Sequence, residues 1–549
     1  MRITKASGGE NTIGGFIMDG FNQKRIKVVV IAFTIVMILL VARLWYIQVI
    51  CHDEFTAAAI SQYEVSIEGL DTRGKILDRN LKPLTGGTDQ YYYIIDKKLK
   101  DNKLERIMKD MQARQIAKSS SAYYVYRTEK YNNDINNTLK QEYGAYVFKS
   151  QSRYADEQIA CHLLGYLNKD ENRGVSGMEL LYQDQLKDDG NVLTLWADAA
   201  GNILKGVSPS IIKSDKNRTT MKTNSVVTTI DRRLQYVCEK ALAQAGEGGA
   251  AIVMDVDTGE ILAWASLPVF NPNSIESYLE DSGDCLIDKV CQGAYAPGSV
   301  FKIVTAIAAL ENGVCDENWS FECNGEVTIE GVTLKCTAAG KEGHGKVNMN
   351  QAMAYSCNCY FAKLGEMVGS EAIVEMAEKL GFGQKVMIDF PQESKGNIPS
   401  KDEVGPWDIT NLSIGQGEIL TTPLQIVKMT AIVANVGMEV NPKLILDEKQ
   451  EYERQLVSED TAKKVDSMLE DVMTKGTGKG AWQVPVCGKT GTAEAIFEGK
   501  DVKNCWFTGY FSVGDNTYAV TVMVERGASG TYTAMPVFRS VVDFLSENL

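Results

Sequence analysis

The stretch KRIKVVVIAFTIVMILLVARLWYIQVI, residues 24–50, constrains this chain most, because a water-soluble core has no use for an apolar run of this length. Val28 to Ala42 carries no charge, and with Leu44 to Ile50 it reaches about 35 Å as a helix, enough to cross a bilayer. Arg43 can snorkel to one interface, where Trp45 and Tyr46 also fit. Lys24, Arg25 and Lys27 put the preceding tail in the cytoplasm by the positive-inside rule, so residues 51–549 are expected outside the membrane. A cleaved signal peptide is the competing reading. Against it, no small-x-small site follows the run closely, and Ile50 precedes Cys51 where a lipoprotein site needs a small residue. The chain is therefore read as a tail (1–27), a membrane helix (28–50) and a large remainder.

That remainder must fold in water. Across the 549 residues, 44% are hydrophobic and 23% charged, the balance of a globular protein with room for two or more domains. A formal net charge of −14 with no dense basic patch argues against a nucleic-acid partner. Residues 51–222 alternate β-like runs (QYYYIID, SAYYVYR, GAYVFKS) with polar helical stretches such as KLERIMKDMQARQIAKSSS, and read as a spacer or pedestal. The polar segment KSDKNRTTMKTNS, residues 213–225, reads as a linker. Residues 223–549 are more apolar. AAIVMDVDTGEILAWAS predicts two strands joined by a loop from Asp255 to Gly259; strands return in NCWFTGYFSV and TYAVTVMVE before a closing helix. Strands at both ends with helices between predict an α/β domain whose terminal strands share one sheet.

Within this half, APGSVFKIVTAIAALENG predicts a helix with no polar face, closed by Glu311-Asn312-Gly313 and buried all round. Lys302 is its one charged residue before that close. Ser299, at the start of the helix, lies three residues earlier on the same face, where free backbone N–H groups favour developing negative charge. A buried Lys loses pKa and becomes an amine able to take a proton from a hydroxyl, which would make Ser299 a nucleophile. A Lys whose stem crosses apolar surface to reach solvent accounts for the same residue. Two further segments bear on the choice: YSCNCYF, with Ser356 and Asn358, and CGKTGTAEA, with Lys489, Thr490, Gly491 and Thr492. S-x-x-K, S-x-N and K-T-G in this order carry a nucleophile with its base, a proton relay with a backbone-holding amide, and a cation with carboxylate-binding hydroxyls.

With these motifs the sequence resembles a class B penicillin-binding protein, a monofunctional peptidoglycan D,D-transpeptidase, over nearly its whole length. RGKILDRNLKPL, residues 73–84, is similar to the pedestal signature R-G-x-I-x-D-R-N at Arg73, Gly74, Asp78, Arg79 and Asn80; Leu81 stands where the family often has Gly. CHLLGY, GVSGMELLY, SIGQGEILTTPLQ and WFTGYF resemble later family motifs. No glycosyltransferase domain is expected between anchor and pedestal, and no binding modules after WFTGYF, which sets the chain apart from class A members. The resemblance implies an α/β transpeptidase domain, an antiparallel sheet flanked by helices with a helical subdomain, on an α+β pedestal behind a membrane helix. It implies a D-Ala-D-Ala stem peptide as substrate, attack by Ser299 with Lys302 as base, and proton transfer to the leaving amine through Ser356, steadied by Lys489. Asn358 would hold the substrate backbone, Thr490 and Thr492 its carboxylate beside Gly491, and the N–H groups of Ser299 and Thr492 would form an oxyanion hole. β-Lactams would trap Ser299. Implied partners are peptidoglycan stems, the membrane and a membrane glycosyltransferase or other cell-wall synthesis proteins. A β-lactamase, a β-lactam sensor and a non-catalytic scaffold compete, but no deacylating group, zinc-protease motif or missing catalytic residue supports them.

No cofactor is expected for catalysis, but Cys323, Cys336 and His344 fall within 22 residues, shortly before Ser356. EVTIEGVTLK predicts a hairpin turning at Glu330-Gly331, with Gly325 facing Cys336 and Cys323 two positions beyond. The cysteines would be diagonal neighbours with Cα atoms around 7–8 Å apart. A structural zinc fits that gap, with His344 as third ligand and Cys315, Asp316, Cys357 or water as fourth. A Cys323–Cys336 disulfide and free thiols are the alternatives. Cys238 and Cys505, in apolar contexts, read as buried thiols.

Overall fold

The computed structural model describes residues 20–50, 64–67, 73–116, 123–168, 173–187, 191–196, 210–213, 225–279, 284–329, 331–336, 342–387, 389–400, 406–446 and 454–548. It divides into two units: Met1–Leu70 with Lys118–Ser121 and Val192–Ile212, and Asp71–Ala117 with Ala122–Asn191 and Lys213–Leu549. Cys51 and most of the expected linker (214–224) lie outside the described residues.

The first unit contains α1 (Gly20–Trp45), whose helical path runs on to Ile50. Arg25–Val49 is long and apolar enough to cross a membrane, and none of its most apolar stretch is buried in protein. A three-stranded sheet in the order Glu64–Ile67, Asn191–Trp196, Ser210–Lys213 completes the unit.

In the second unit the pedestal runs fold as expected: β1 (Asp89–Asp96), α2 (Asn102–Asp110), β2 (Tyr123–Thr128), α3 (Asn133–Glu142) and β3 (Tyr146–Gln151). β1 lies between β2 and β3, antiparallel to both. α2 is shorter than its polar sequence suggested, because Arg114–Gln115 leaves the helix to pair with β2. Two pedestal motifs meet in one buried ion pair: Arg73 Nε lies 2.6 Å from Glu179 Oε2, both side chains fully covered, and Arg153 and the Tyr154 hydroxyl reach the other carboxylate oxygen. Arg79 reaches across to Glu260, at 3.1 Å, fixing the pedestal to the catalytic sheet.

That sheet forms around α4 (Arg232–Ala245), β4 (Gly249–Asp255) and β5 (Ile261–Leu267), joined by the Asp255–Gly259 turn. Every residue of β4 and β5 is buried, because helices cover both faces. Ala250, Ile252 and Met254 face one core cluster, while Ala251 and Val253 face another with Leu234 and Leu242 of α4. This is the period-two alternation of a strand spent on two apolar layers. α5 (Lys302–Glu311) carries eight buried residues out of ten, so it is a core helix by sequence and by position.

Downstream come β6 (Ser320–Cys323), β7 (Glu326–Ile329), β8 (Val332–Lys335), β9 (Gly345–Asn348), α6 (Met349–Ala354), α7 (Asn358–Val368), α8 (Pro423–Ala434) and α9 (Glu459–Thr474). The chain closes with β10 (Val486–Phe497), β11 (Lys500–Val513), β12 (Asn516–Val524) and α10 (Met535–Asn548). The five-stranded sheet is antiparallel throughout, ordered β5-β4-β12-β11-β10. β4 and β5, early in the domain, thus share one sheet with β10, β11 and β12 at its end, as expected, while the short strand Val226–Val227 pairs instead with Ile76–Leu77; the K-T-G residues fall on edge strand β10.

Candidate active site

Four elements meet at the cleft. One 3₁₀ turn, Gly298–Phe301, presents Ser299 ahead of α5. Gly298 has φ +56°, and a Cβ there would sit 3.1 Å from Thr492 O, so glycine lets β10 pass directly beside the serine. Gly491 does the same from the strand side: its Cβ would lie 3.0 Å from Val300 Cγ1 and 3.0 Å from Trp506 Cβ. Trp506 in turn donates from Nε1 to Ala296 O at 3.0 Å, tethering the segment before Ser299. Ser299 and Thr492 therefore stand on adjacent segments that line one cleft.

Lys302 is completely buried beneath this turn. Its Nζ donates to Ser356 O at 2.9 Å, to Asn358 Oδ1 at 2.7 Å and to Ser356 Oγ at 3.3 Å. Burial lowers its pKa to about 8, opposed by the nearby Cys357, Cys336 and Cys359 thiols. The snorkelling alternative fails, since the amine ends inside the protein. No hydrogen bond joins it to Ser299 Oγ among the described residues; catalytic contacts of this kind commonly tighten only when substrate arrives.

Ser356 adopts φ +55°, a left-handed conformation that costs a non-glycine residue about 1–2 kcal/mol. The hydrogen bond from Lys302 to its carbonyl holds that conformation and leaves Oγ between two lysine amines. Lys489 Nζ donates to the same Oγ at 3.1 Å and to Thr490 O at 2.9 Å. Lys489 is fully buried, and desolvation followed by the charge of Lys302 holds its pKa well below the ordinary range. Asn358 opens α7, its amide turned toward Lys302 and, through Nδ2, toward Lys335 O at 3.4 Å.

Ser299, Ser356, Asn358, Thr490, Gly491 and Thr492 all line one cleft of about 690 Å³. Thr490 Oγ1 pairs with Thr477 Oγ1 at 2.7 Å, and Thr492 Oγ1 accepts from Gly530 N at 3.2 Å. Gln416 of the SIGQGEILTTPLQ motif also lines the cleft, as do Thr477, Asn411, Ser529 and Thr531, which no sequence motif singles out. Asn411 lies two residues before SIGQG and Gln416 within it, so that motif is the one signal that pointed at this part of the cleft.

The cysteine cluster is assembled differently from the sequence expectation. β7 and β8 do form the hairpin, with Glu330 outside the described residues, and Cys336 N donates to Gly325 O at 2.7 Å. Cys323, however, ends β6, which pairs with β9 and not with the hairpin, setting Cys323 opposite Gly345. The chain turns at Gly325, φ +89°, and the cysteines meet between two ladders instead of along one. Cys323 Sγ, Cys336 Sγ, His344 Nδ1 and Cys357 Sγ all lie within 4.8 Å of one another. His344 Nδ1 is 3.7 Å from Cys323 Sγ and 3.5 Å from Cys336 Sγ, and Cys336 Sγ is 3.9 Å from Cys357 Sγ. A tetrahedron with zinc–sulfur bonds of about 2.3 Å has edges of about 3.8 Å, which these separations match. The three cysteines are free thiols and His344 offers a ring nitrogen, so the donor set fits a Cys₃His metal site better than a disulfide. Cys315 and Asp316 stay outside it. Cys238 and Cys505 are buried free thiols.

Residues 249–543 match the family described as the penicillin binding protein transpeptidase domain. Stage V sporulation protein D of Bacillus subtilis is 28% identical over 540 residues, covering 92% of this chain and 82% of that protein. Peptidoglycan D,D-transpeptidase MrdA of Acinetobacter baumannii is 28% identical over 587 residues, covering 92% and 85%. A solved structure titled "Structural coordination of polymerization and crosslinking by a peptidoglycan synthase complex" shares the fold at TM-score 0.71 and 23% identity, covering 96% of this chain and 99% of that one. With the three motifs gathered in one cleft and the match spanning more than half its length, this chain belongs to the penicillin-binding protein transpeptidases, in class B.

Proposed function

We propose that Ser299 is the acyl-accepting nucleophile of this D,D-transpeptidase, with Lys302 as its base. The observation that carries the reading is the buried Lys302 amine, held at a pKa of about 8 one helical step from a serine on the floor of the cleft. Ser299 Oγ attacks the carbonyl of the penultimate D-Ala while its proton passes to Lys302. The C–N bond to the terminal D-Ala breaks, and the leaving amine takes a proton through Ser356 Oγ. An amine of a second stem peptide then attacks the acyl-enzyme, releasing Ser299 and forming the cross-link. Thr490 and Thr492 bind the terminal carboxylate, Asn358 the substrate amide, and the N–H groups of Ser299 and Thr492 the oxyanion, a contribution of about 3–4 kcal/mol for such a donor. β-Lactams acylate the same serine. Ser299→Ala is expected to abolish covalent labelling by a fluorescent penicillin with the fold intact by circular dichroism; persistent labelling would overturn the assignment.

The same reading places residues 51–549 outside the cytoplasmic membrane, supported by Lys24, Arg25 and Lys27 before the apolar helix. A membrane glycosyltransferase is the expected partner, supported by the likeness to a chain from a peptidoglycan synthase complex. A structural zinc on Cys323, Cys336, His344 and Cys357 is part of the proposal, supported by the tetrahedral separations. Such an ion would fix the middle residue of Ser356-Cys357-Asn358; Cys357 also caps α7, its Sγ accepting from Tyr360 N at 3.5 Å. Its role would be to hold the motif's geometry, with no part in the chemistry.

A further inference from the structure

The cleft continues past the catalytic residues, and its far end carries charge that the acyl-transfer steps do not use. Along β10, Thr490, Thr492 and Glu494 alternate onto one face, and all three line the cleft. Glu494 lies about 7 Å beyond Thr492, two strand residues on. Directly across the ladder from Glu494 stands Lys503 of β11, which also lines the cleft. From the hairpin come Leu334 and Lys335, and Lys335 O accepts from the Asn358 amide. Lys335, Glu494 and Lys503 are exposed, and among the described residues none of their side chains forms an ion pair.

The proposed function fixes the direction of the substrate. A peptide whose terminal carboxylate sits at Thr490 and Thr492, with its scissile carbonyl at Ser299, runs antiparallel to β10, so its upstream residue passes Asn358 and arrives at Glu494, Lys335 and Lys503. That end offers one carboxylate, two ammonium groups and the apolar surface of Leu334. An aliphatic side chain ending in both an amine and a carboxylate satisfies all of them. We infer that Glu494, Lys335 and Lys503 form a subsite for the residue preceding D-Ala-D-Ala, and that it selects a diamino dicarboxylic acid such as 2,6-diaminopimelate over a simple diamino acid such as lysine. Glu494 takes the side-chain ammonium common to both. Lys335 and Lys503 take the carboxylate that only the first possesses. Leu334 covers the methylenes.

This inference rests on the transpeptidase reading, and the test separates the two. Full-length protein in detergent is assayed for D-Ala release from two stem pentapeptides that differ only in carrying meso-2,6-diaminopimelate or L-lysine at position three. The diaminopimelate peptide should show a kcat/KM higher by about fivefold, the value of one exposed ion pair. Lys335→Ala should bring the ratio toward one and Lys335→Arg should keep it. Glu494→Gln should weaken both peptides together and leave the ratio standing. A wild-type ratio near one, or a ratio unmoved by Lys335→Ala and by Lys503→Ala, overturns the subsite. Failure of the wild-type protein to be labelled by a fluorescent penicillin overturns the transpeptidase reading instead. Each ratio is measured on one protein sample, so partial misfolding of a variant does not affect it.

Discussion

Lys302 and Lys489 aim their nitrogens at a single oxygen, Ser356 Oγ, at 3.3 and 3.1 Å. Two ammonium groups meeting in a dry site disfavour each other's charge, and both side chains are fully buried. The arrangement therefore favours one neutral amine at physiological pH.

The pH dependence follows from this pair. Lys302 is depressed by burial to about 8, against the thiols of Cys357, Cys336 and Cys359, which favour its charged form; Lys489 faces it from β10. Below that value Lys302 is protonated and cannot accept the Ser299 proton; above it the neutral amine dominates. Penicillin acylation should rise as pH increases through about 8 and level off beyond. Stopped-flow acylation rates between pH 6 and 10 would check this, and a flat or falling profile would remove Lys302 from the role of base.

Ser356 separates strain from chemistry. Its left-handed backbone suits glycine, so Ser356→Gly should be at least as thermally stable as Ser356→Ala, which keeps the strain. Both lose the hydroxyl, and acylation by a slow substrate should fall by about 10²–10⁴ in each, the usual range for a proton-transfer group. Wild-type rates in either variant would show that Oγ takes no part.

Much of this site was legible because its chemistry sits on anomalies of local pattern. A lone Lys in a helix with no polar face has few explanations, and Lys302 proved to be buried with its amine turned inward. The strands β4, β5, β11 and β12 followed from apolar runs and a turn. β10 escaped, because Gly488, Gly491 and three lysine or threonine residues disguise a strand whose glycines serve close approach to Val300 and Trp506. The pairing of Cys323 with β9 was unreadable for a different reason: register between separate ladders depends on tertiary packing that no local period encodes. Cys357 was one of four open choices for the fourth ligand, and only the placement of α7 selects it.

Leu81 shows a departure from family pattern with a measurable cost. It is 66% exposed and has φ +61°, in a turn held by Asp78 Oδ1 accepting from the backbone of Asn80 and Lys82. The left-handed conformation costs about 1–2 kcal/mol, and glycine's greater unfolded-state freedom gives back about 0.5–1 kcal/mol of that difference. Leu81→Gly should therefore be neutral or stabilise by up to about 1 kcal/mol in denaturant titration. A clear loss would mean that the exposed leucine packs against something else.

Glu179 is the anchor of the pedestal. Arg73 Nε, Arg153 Nε and the Tyr154 hydroxyl all donate to its carboxylate, at 2.6, 2.7 and 2.9 Å. Glu179→Gln leaves two guanidinium groups around a neutral amide, and breaking a buried pair in this way costs about 3–5 kcal/mol. Calorimetry should show a pedestal transition at lower temperature, with faster proteolysis near Arg73. An unchanged melting profile would mean that solvent reaches the pair on removal of the charge.

If Cys323, Cys336, His344 and Cys357 hold zinc, purified protein should carry about one zinc per chain by elemental analysis, the stoichiometry of a closed tetrahedral site. Cys336→Ser and Cys357→Ser should each lose the metal and lower the melting temperature. Cys357→Ser should also slow penicillin acylation more than Cys323→Ser does, because Cys357 alone lies between Ser356 and Asn358 and caps α7, whereas Cys323 ends a strand remote in sequence from the motif. Chelation of the wild-type protein should reproduce the slower acylation, and restoring zinc should reverse it. Metal-free protein with every thiol titratable and acylation unaffected by chelator would eliminate the ion; the tetrahedral separations would then reflect only thiol packing around the His344 ring, which stacks on Tyr355 at 5.6 Å.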